Sequence, residues 1–233
     1  MAESLSFDKR SERLRGAEYD LISARTFNLV MILTILYGLV LNVAIVYYGA
    51  EPFLEWFSSL SNPKGAWIGL LIGYLVCSFG GIFLSAKSSN PLVSFIGFNL
   101  VAIPFGVLMC FFVPFFESEI ILRAVGLTAC VTAIIAALAI THPNMFLKLG
   151  WALFITIIVG LIAEVIATFA FGYQGTAFDW LFVIVFSGYI GYDVSRSQQY
   201  AKTVDNAVDC AVDLYMDIVN LFIRLLAILG KRK

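Results

Sequence analysis

Near the end of the chain four aspartates recur every four residues: Asp205, Asp209, Asp213 and Asp217. Four residues turn an α-helix by about 400°, so each carboxylate is rotated only about 40° from the one before. A helix over residues 206–230 therefore carries a slowly drifting acidic stripe, entered at Asp205. Asp217 lies about 18 Å beyond Asp205 along the axis. Asn220 and Arg224 extend the polar side, with Arg224 at nearly the azimuth of Asp217 but about 10 Å further on. Carboxylates take up protons and hard cations, and Ca²⁺ in particular prefers oxygen ligands. Asp205 and Asp209 also suit an ordinary role in the first turns, where acids favour a helix N-terminus and reach water. Asp213 reads as a wetted cavity residue or an ion ligand. Asp217 is too deep for bulk water, and reads as an ion or proton ligand or as the partner of Arg224 or of another helix.

A second carboxylate closes the preceding apolar stretch, in Ser187-Gly188-Tyr189-Ile190-Gly191-Tyr192-Asp193. An acid at a helix C-terminus opposes the macrodipole. It is either an ordinary interfacial acid or the partner of Asp217 on an adjacent antiparallel helix. Two desolvated carboxylates in contact do not both ionise cheaply, so such a pair holds a proton towards neutrality and titrates as a unit. It would serve as a pH sensor, a transient Ca²⁺ ligand, or both. Glu164, inside another apolar stretch, reads equally as a proton relay or cation way-station and as a buried hydrogen-bonded acid. Lys87 ends the second stretch, as a snorkelling anchor or a switchable partner for Asp193. With His142 the only histidine, a His-rich metal cage has no ligands. Cys77, Cys110, Cys130 and Cys210 form no CxxC pair and read as small packing residues. No resident cofactor is expected.

The elements that position these residues must cross lipid. The 233 residues are 61% hydrophobic and 13% charged, against roughly 45–50% and about 25% in soluble chains. A soluble domain of this size cannot hide so much apolar surface. Residues 26–50, 65–86 and 88–116 carry no charge, and 124–147 contain only His142 as an ionisable group. Residues 149–171 are interrupted by Glu164 alone, 176–193 begin near Asp179, and 206–230 hold the acidic stripe. A span needs about 20 residues. The expectation is an all-α membrane protein, a seven-transmembrane-helix bundle in one domain over 26–230. A deep acidic stripe cannot face lipid, so the last helix should be central. Gly69, Gly73, Gly80 and Gly81 offer close helix contact in the second span.

Residues 1–25 form a polar tail of mixed charge without the apolar core of a signal peptide, and 231–233 a basic tail. With the N-terminus cytoplasmic, nine Lys and Arg fall inside and five outside, as the positive-inside rule favours. The C-terminal Lys-Arg-Lys then lies outside, against the same rule. A net charge of −1 with no basic amphipathic face excludes a nucleic-acid partner. The expected partners are the lipid bilayer, protons and Ca²⁺.

The Ser187–Asp193 motif, followed by Leu214-Tyr215-Met216-Asp217-Ile218-Val219-Asn220-Leu221-Phe222 and closed by Leu225 to Gly230, resembles the paired signature of the Bax-inhibitor (transmembrane Bax-inhibitor motif) family. The resemblance extends from about Arg25 onwards. It implies a seven-helix bundle with a central last helix, acting as a pH-dependent calcium leak. It further implies that Asp193 and Asp217 are the pH-sensing pair. It also implies a basic latch at the end of the second helix, where this chain has Lys87. The short N-terminal tail is similar to that of bacterial members, which implies the plasma (inner) membrane of a bacterium.

An enzyme is not expected. An intramembrane aspartyl protease also pairs a Tyr-Asp with a second acid, but its Gly-x-Gly-Asp is absent before Asp217, and residues 206–230 contain no lysine for retinal. The alternative is a membrane-embedded interaction protein that regulates a membrane protease or stress and cell-death machinery. Its membrane protein partner would dock on the charged N-terminal tail.

Overall fold

The computed structural model describes residues 21–173 and 175–230. Most of the expected N-terminal tail and the basic tail over 231–233 lie outside the described residues. Among the described residues every regular element is a helix: α1 Ala24–Ser58, α2 Pro63–Lys87, α3 Pro91–Met109, α4 Ser118–Thr141, α5 Pro143–Leu147, α6 Gly150–Phe171, α7 Ala177–Ser197 and α8 Val204–Gly230, with a 3₁₀ turn at Val113–Phe115. Six of them are long and apolar enough to cross a membrane, the third taken through Phe115. The 27 residues of α8 extend about 40 Å, which also exceeds a bilayer core of about 30 Å. Its acids set it apart from those six.

The chain punctuates its helices with Asn-Pro. Asn62 and Asn90 precede Pro63 and Pro91, and their side chains accept from Gly65 N at 3.0 Å and Leu92 N at 3.0 Å. Each asparagine satisfies an orphan amide, while the proline fixes φ at the first helical position. Ser23 caps α1 in the same way, accepting from Thr26 N at 3.0 Å. Arg25, expected in the tail, therefore lies in the first turn of α1. The α1 helix also continues past Glu51, Pro52 and Glu55 to 35 residues, longer than its uncharged run. The run over 124–147 is two helices rather than one. Pro143 has no N–H to give and clashes with the preceding turn, so α4 ends at Thr141 and α5 begins anew. Gly172, at φ 64°, stops α6 with a left-handed cap.

The chain forms two compact units. The first comprises residues 21–115 with 200–215, the second 116–199 with 216–230. In the first, α3 packs on both α1 and α2. Its backbone meets α2 where two glycines face each other: a Cβ on Gly81 would stand 2.5 Å from the Gly97 carbonyl. In the second, α7 packs on α4, α5 and α6. The glycines of the Ser187–Asp193 motif permit this, since the Phe146 ring occupies the space of a Cβ on Gly191 and Leu153 that on Gly188. Of the cysteines, Cys110 and Cys210 are buried as expected, Cys77 is half-buried and Cys130 is exposed.

Candidate ion and proton site

In the first unit the early acids of α8 are not at a wetted helix end. The segment leading into α8 is itself buried at Tyr200 and Ala201, and Asp205 and Asp209 are buried with it, at 8% and 5% exposure. Each takes a hydroxyl in place of water: Ser94 Oγ of α3 donates to Asp205 Oδ1 at 2.6 Å, and Ser85 Oγ of α2 donates to Asp209 Oδ1. Asp205 stands in the first turn of α8 as expected, but water is not what meets these acids: desolvating a carboxylate demands compensating donors, and the two serines are among them. Tyr215, fully buried, accepts from Asn42 Nδ2 of α1, and its ring stacks edge-on to Phe98 at 5.2 Å. The tyrosine of the last-helix motif thus anchors α8 to α1 and α3. Asp213 is half-buried.

In the second unit Arg224 is held by two acids. Its Nη1 donates to Glu164 Oε1 at 2.6 Å and to Asp179 Oδ1 at 3.1 Å, and its Nη2 donates to Glu164 Oε2 at 3.0 Å. The Phe182 ring lies 4.3 Å beneath the guanidinium carbon, a cation–π contact. Glu164 is half-buried and hydrogen-bonded, and the bidentate fork is the geometry only arginine supplies. Asp179 is a site residue the sequence reasoning left unassigned. The signal was available: an arginine within a membrane-length helix requires carboxylate partners, and Glu164 and Asp179 are acids on the two preceding spans.

Asp193 and Asp217 also belong to the second unit. Asp217 is buried and occupies the midpoint of α8, about 20 Å from either end. Asp193 lies one turn before the end of α7 rather than at its last residue, because the helix runs on to Ser197. Tyr189 of the same motif stands one turn before Asp193 on the same face of α7. The cation nearest Asp193 on its own helix is Arg196, with Nη1 4.0 Å from Oδ1. Lys87, by contrast, is exposed at the end of α2 and rests its Nζ 3.9 Å above the Phe83 ring one turn back, the posture of a snorkelling side chain.

Six lipid-length apolar helices, with carboxylates buried among hydroxyl and guanidinium donors, define an integral membrane protein whose interior is adapted to charge. The chain matches the family described as "Inhibitor of apoptosis-promoting Bax1" over residues 21–233, and it belongs to that family, the Bax inhibitors. It is 28% identical over 171 residues to an "Uncharacterized protein" of Helicobacter pylori, covering 70% of this chain and 71% of the relative. It is 31% identical over 147 residues to an "Uncharacterized membrane protein" of Vibrio cholerae, covering 62% and 65%. The "Bax inhibitor 1" of Schizosaccharomyces pombe is 30% identical over 120 residues, covering 51% of this chain and 45% of that protein.

Proposed function

We propose that the protein is a pH-dependent cation leak with Ca²⁺ as the transported ion, gated by Asp193 and Asp217. In this reading α8 is a seventh, central span, the N-terminus is cytoplasmic and the host is a bacterial inner membrane. The observation that carries it is a buried carboxylate at the midpoint of a membrane-length helix, in a member of the family whose paired motifs end in Asp193 and contain Asp217. An ionisable group at that depth is expensive and marks a functional site by default.

The chemistry follows from charge. At low pH the two acids retain at least one proton and their joint field is weak. As pH rises both ionise and repel, and Asp193 gains from turning to Arg196 or to an arriving cation. Helices α7 and α8 shift, and Ca²⁺ moves along Asp217, Asp213 and Asp209, exchanging hydration for carboxylate oxygen. The test is calorimetric. Detergent-purified protein should bind Ca²⁺ more tightly at pH 8 than at pH 6, and Asp217→Asn should abolish the difference while leaving the thermal transition in place. Equal affinity at both pH values in the unaltered protein contradicts the gate.

A further inference from the structure

Arg224 follows Asp217 by seven residues on α8, and both stand in the second unit. Seven residues turn the helix by about 700°, so the two side chains leave it at nearly the same azimuth, about 10 Å apart along the axis. A cation that has reached Asp217 and continues along that side of α8 towards Gly230 meets a guanidinium. That guanidinium is not a loose charge. Three hydrogen bonds tie it to α6 through Glu164 and to α7 through Asp179, and an aromatic face closes it from below. Asp179 stands in the first turn of α7 and Glu164 two turns before the end of α6. The cluster therefore sits at the end of the unit opposite to Asp193.

We propose that Arg224, held by Glu164 and Asp179, is a second barrier to cation passage, separate from the Asp193 and Asp217 gate and in series with it. It is a lock as much as a charge. While all three bonds persist, α6, α7 and α8 are pinned to one another, and a positive group blocks the route beyond the midpoint carboxylate. The two acids exceed the one cation by a charge, so releasing the arginine exposes carboxylates that attract the next ion instead of repelling it. The proposal rests on the leak reading for the direction of ion movement, but it makes a demand of its own: weakening the lock must raise flux.

The test is Ca²⁺ uptake into liposomes by the full chain, beside Arg224→Gln, Glu164→Gln and Asp179→Asn, each at pH 6 and pH 8. Arg224→Gln should raise the initial rate about tenfold, the effect of removing roughly 1.4 kcal/mol of charge-assisted bonding from a barrier. Asp179→Asn, which weakens one contact, should raise it less, and Glu164→Gln should fall between. The ratio of rates at pH 8 and pH 6 should stay as in the unaltered protein, since the acid pair is intact. Arg224→Lys, which keeps the charge but not the fork, should leak more than the unaltered protein and less than Arg224→Gln. A leaky unaltered protein with unchanged or slower variants overturns the lock and leaves the pair standing. A silent unaltered protein with leaky Arg224→Gln supports the lock and overturns the pair as the gate. Silence throughout overturns both. If Arg224→Gln does not fold, the order of Asp179→Asn and Glu164→Gln decides the matter.

Discussion

Tyr215 and Asn42 are where a motif residue turns out to hold the protein together rather than touch an ion. The phenol and the amide are both buried and bond to each other. Removing one leaves the other desolvated, at a cost of about 1–3 kcal/mol. Tyr215→Phe should therefore lower the melting temperature in detergent, and in a double-mutant cycle with Asn42→Ala the two losses should fall short of additive by about 1 kcal/mol. Strict additivity would mean the bond contributes nothing. Ser85→Ala is expected to act similarly on Asp209, whose Oδ1 receives the serine hydroxyl; the variant should unfold earlier, and Ser85→Thr should restore part of the loss. At this scale the sequence revealed which acids matter in principle, since the spacing of Asp205, Asp209, Asp213 and Asp217 is helical. It did not reveal what meets them. Serines and an asparagine are common in loops, and nothing in their spacing marks Ser85, Ser94 or Asn42 as partners of α8.

Helix α2 offers a comparison within one element. A Cβ at Gly81 would stand 2.5 Å from the Gly97 carbonyl and 3.0 Å from Leu100 Cβ, whereas one at Gly73 would meet nothing within 4 Å. Gly81→Ala should push α2 from α3 and cost about 1–3 kcal/mol. Gly73→Ala should be neutral or stabilising, by up to about 1 kcal/mol of helix propensity. Thermal unfolding of the two side by side checks this, and equal effects would refute the close approach. Asn-Pro at 62–63 and 90–91 starts two helices and Gly172 ends one, a punctuation that the charge-bounded runs 65–86 and 88–116 did not use. Element boundaries were misjudged where charge was used as a proxy for a helix end. A helix leaving the bilayer keeps its hydrogen bonds, so α1 runs through Glu51 and Glu55, and α7 runs past Asp193. The break at Pro143 lay inside an uncharged run, where hydropathy is blind to a missing N–H.

For the whole molecule, composition settled the class, and family membership over residues 21–233 agrees with the paired motifs near its end. The last helix is the point at which hydropathy and helix length disagree, for α8 is long enough to cross but carries the acids of the site. Seven spans require residues 1 and 233 on opposite sides of the membrane. Reporter fusions at the two ends should read opposite compartments, and the same compartment for both would mean that α8 does not cross. The most direct measurement is the initial rate of Ca²⁺ uptake into liposomes holding the purified chain, from pH 6 to 8, beside Asp193→Asn and Asp217→Asn. Uptake that rises with pH in the unaltered protein, and loses its pH dependence in both variants, is the expected result. Uptake no faster than in empty liposomes, or a pH profile unchanged by either substitution, would contradict it.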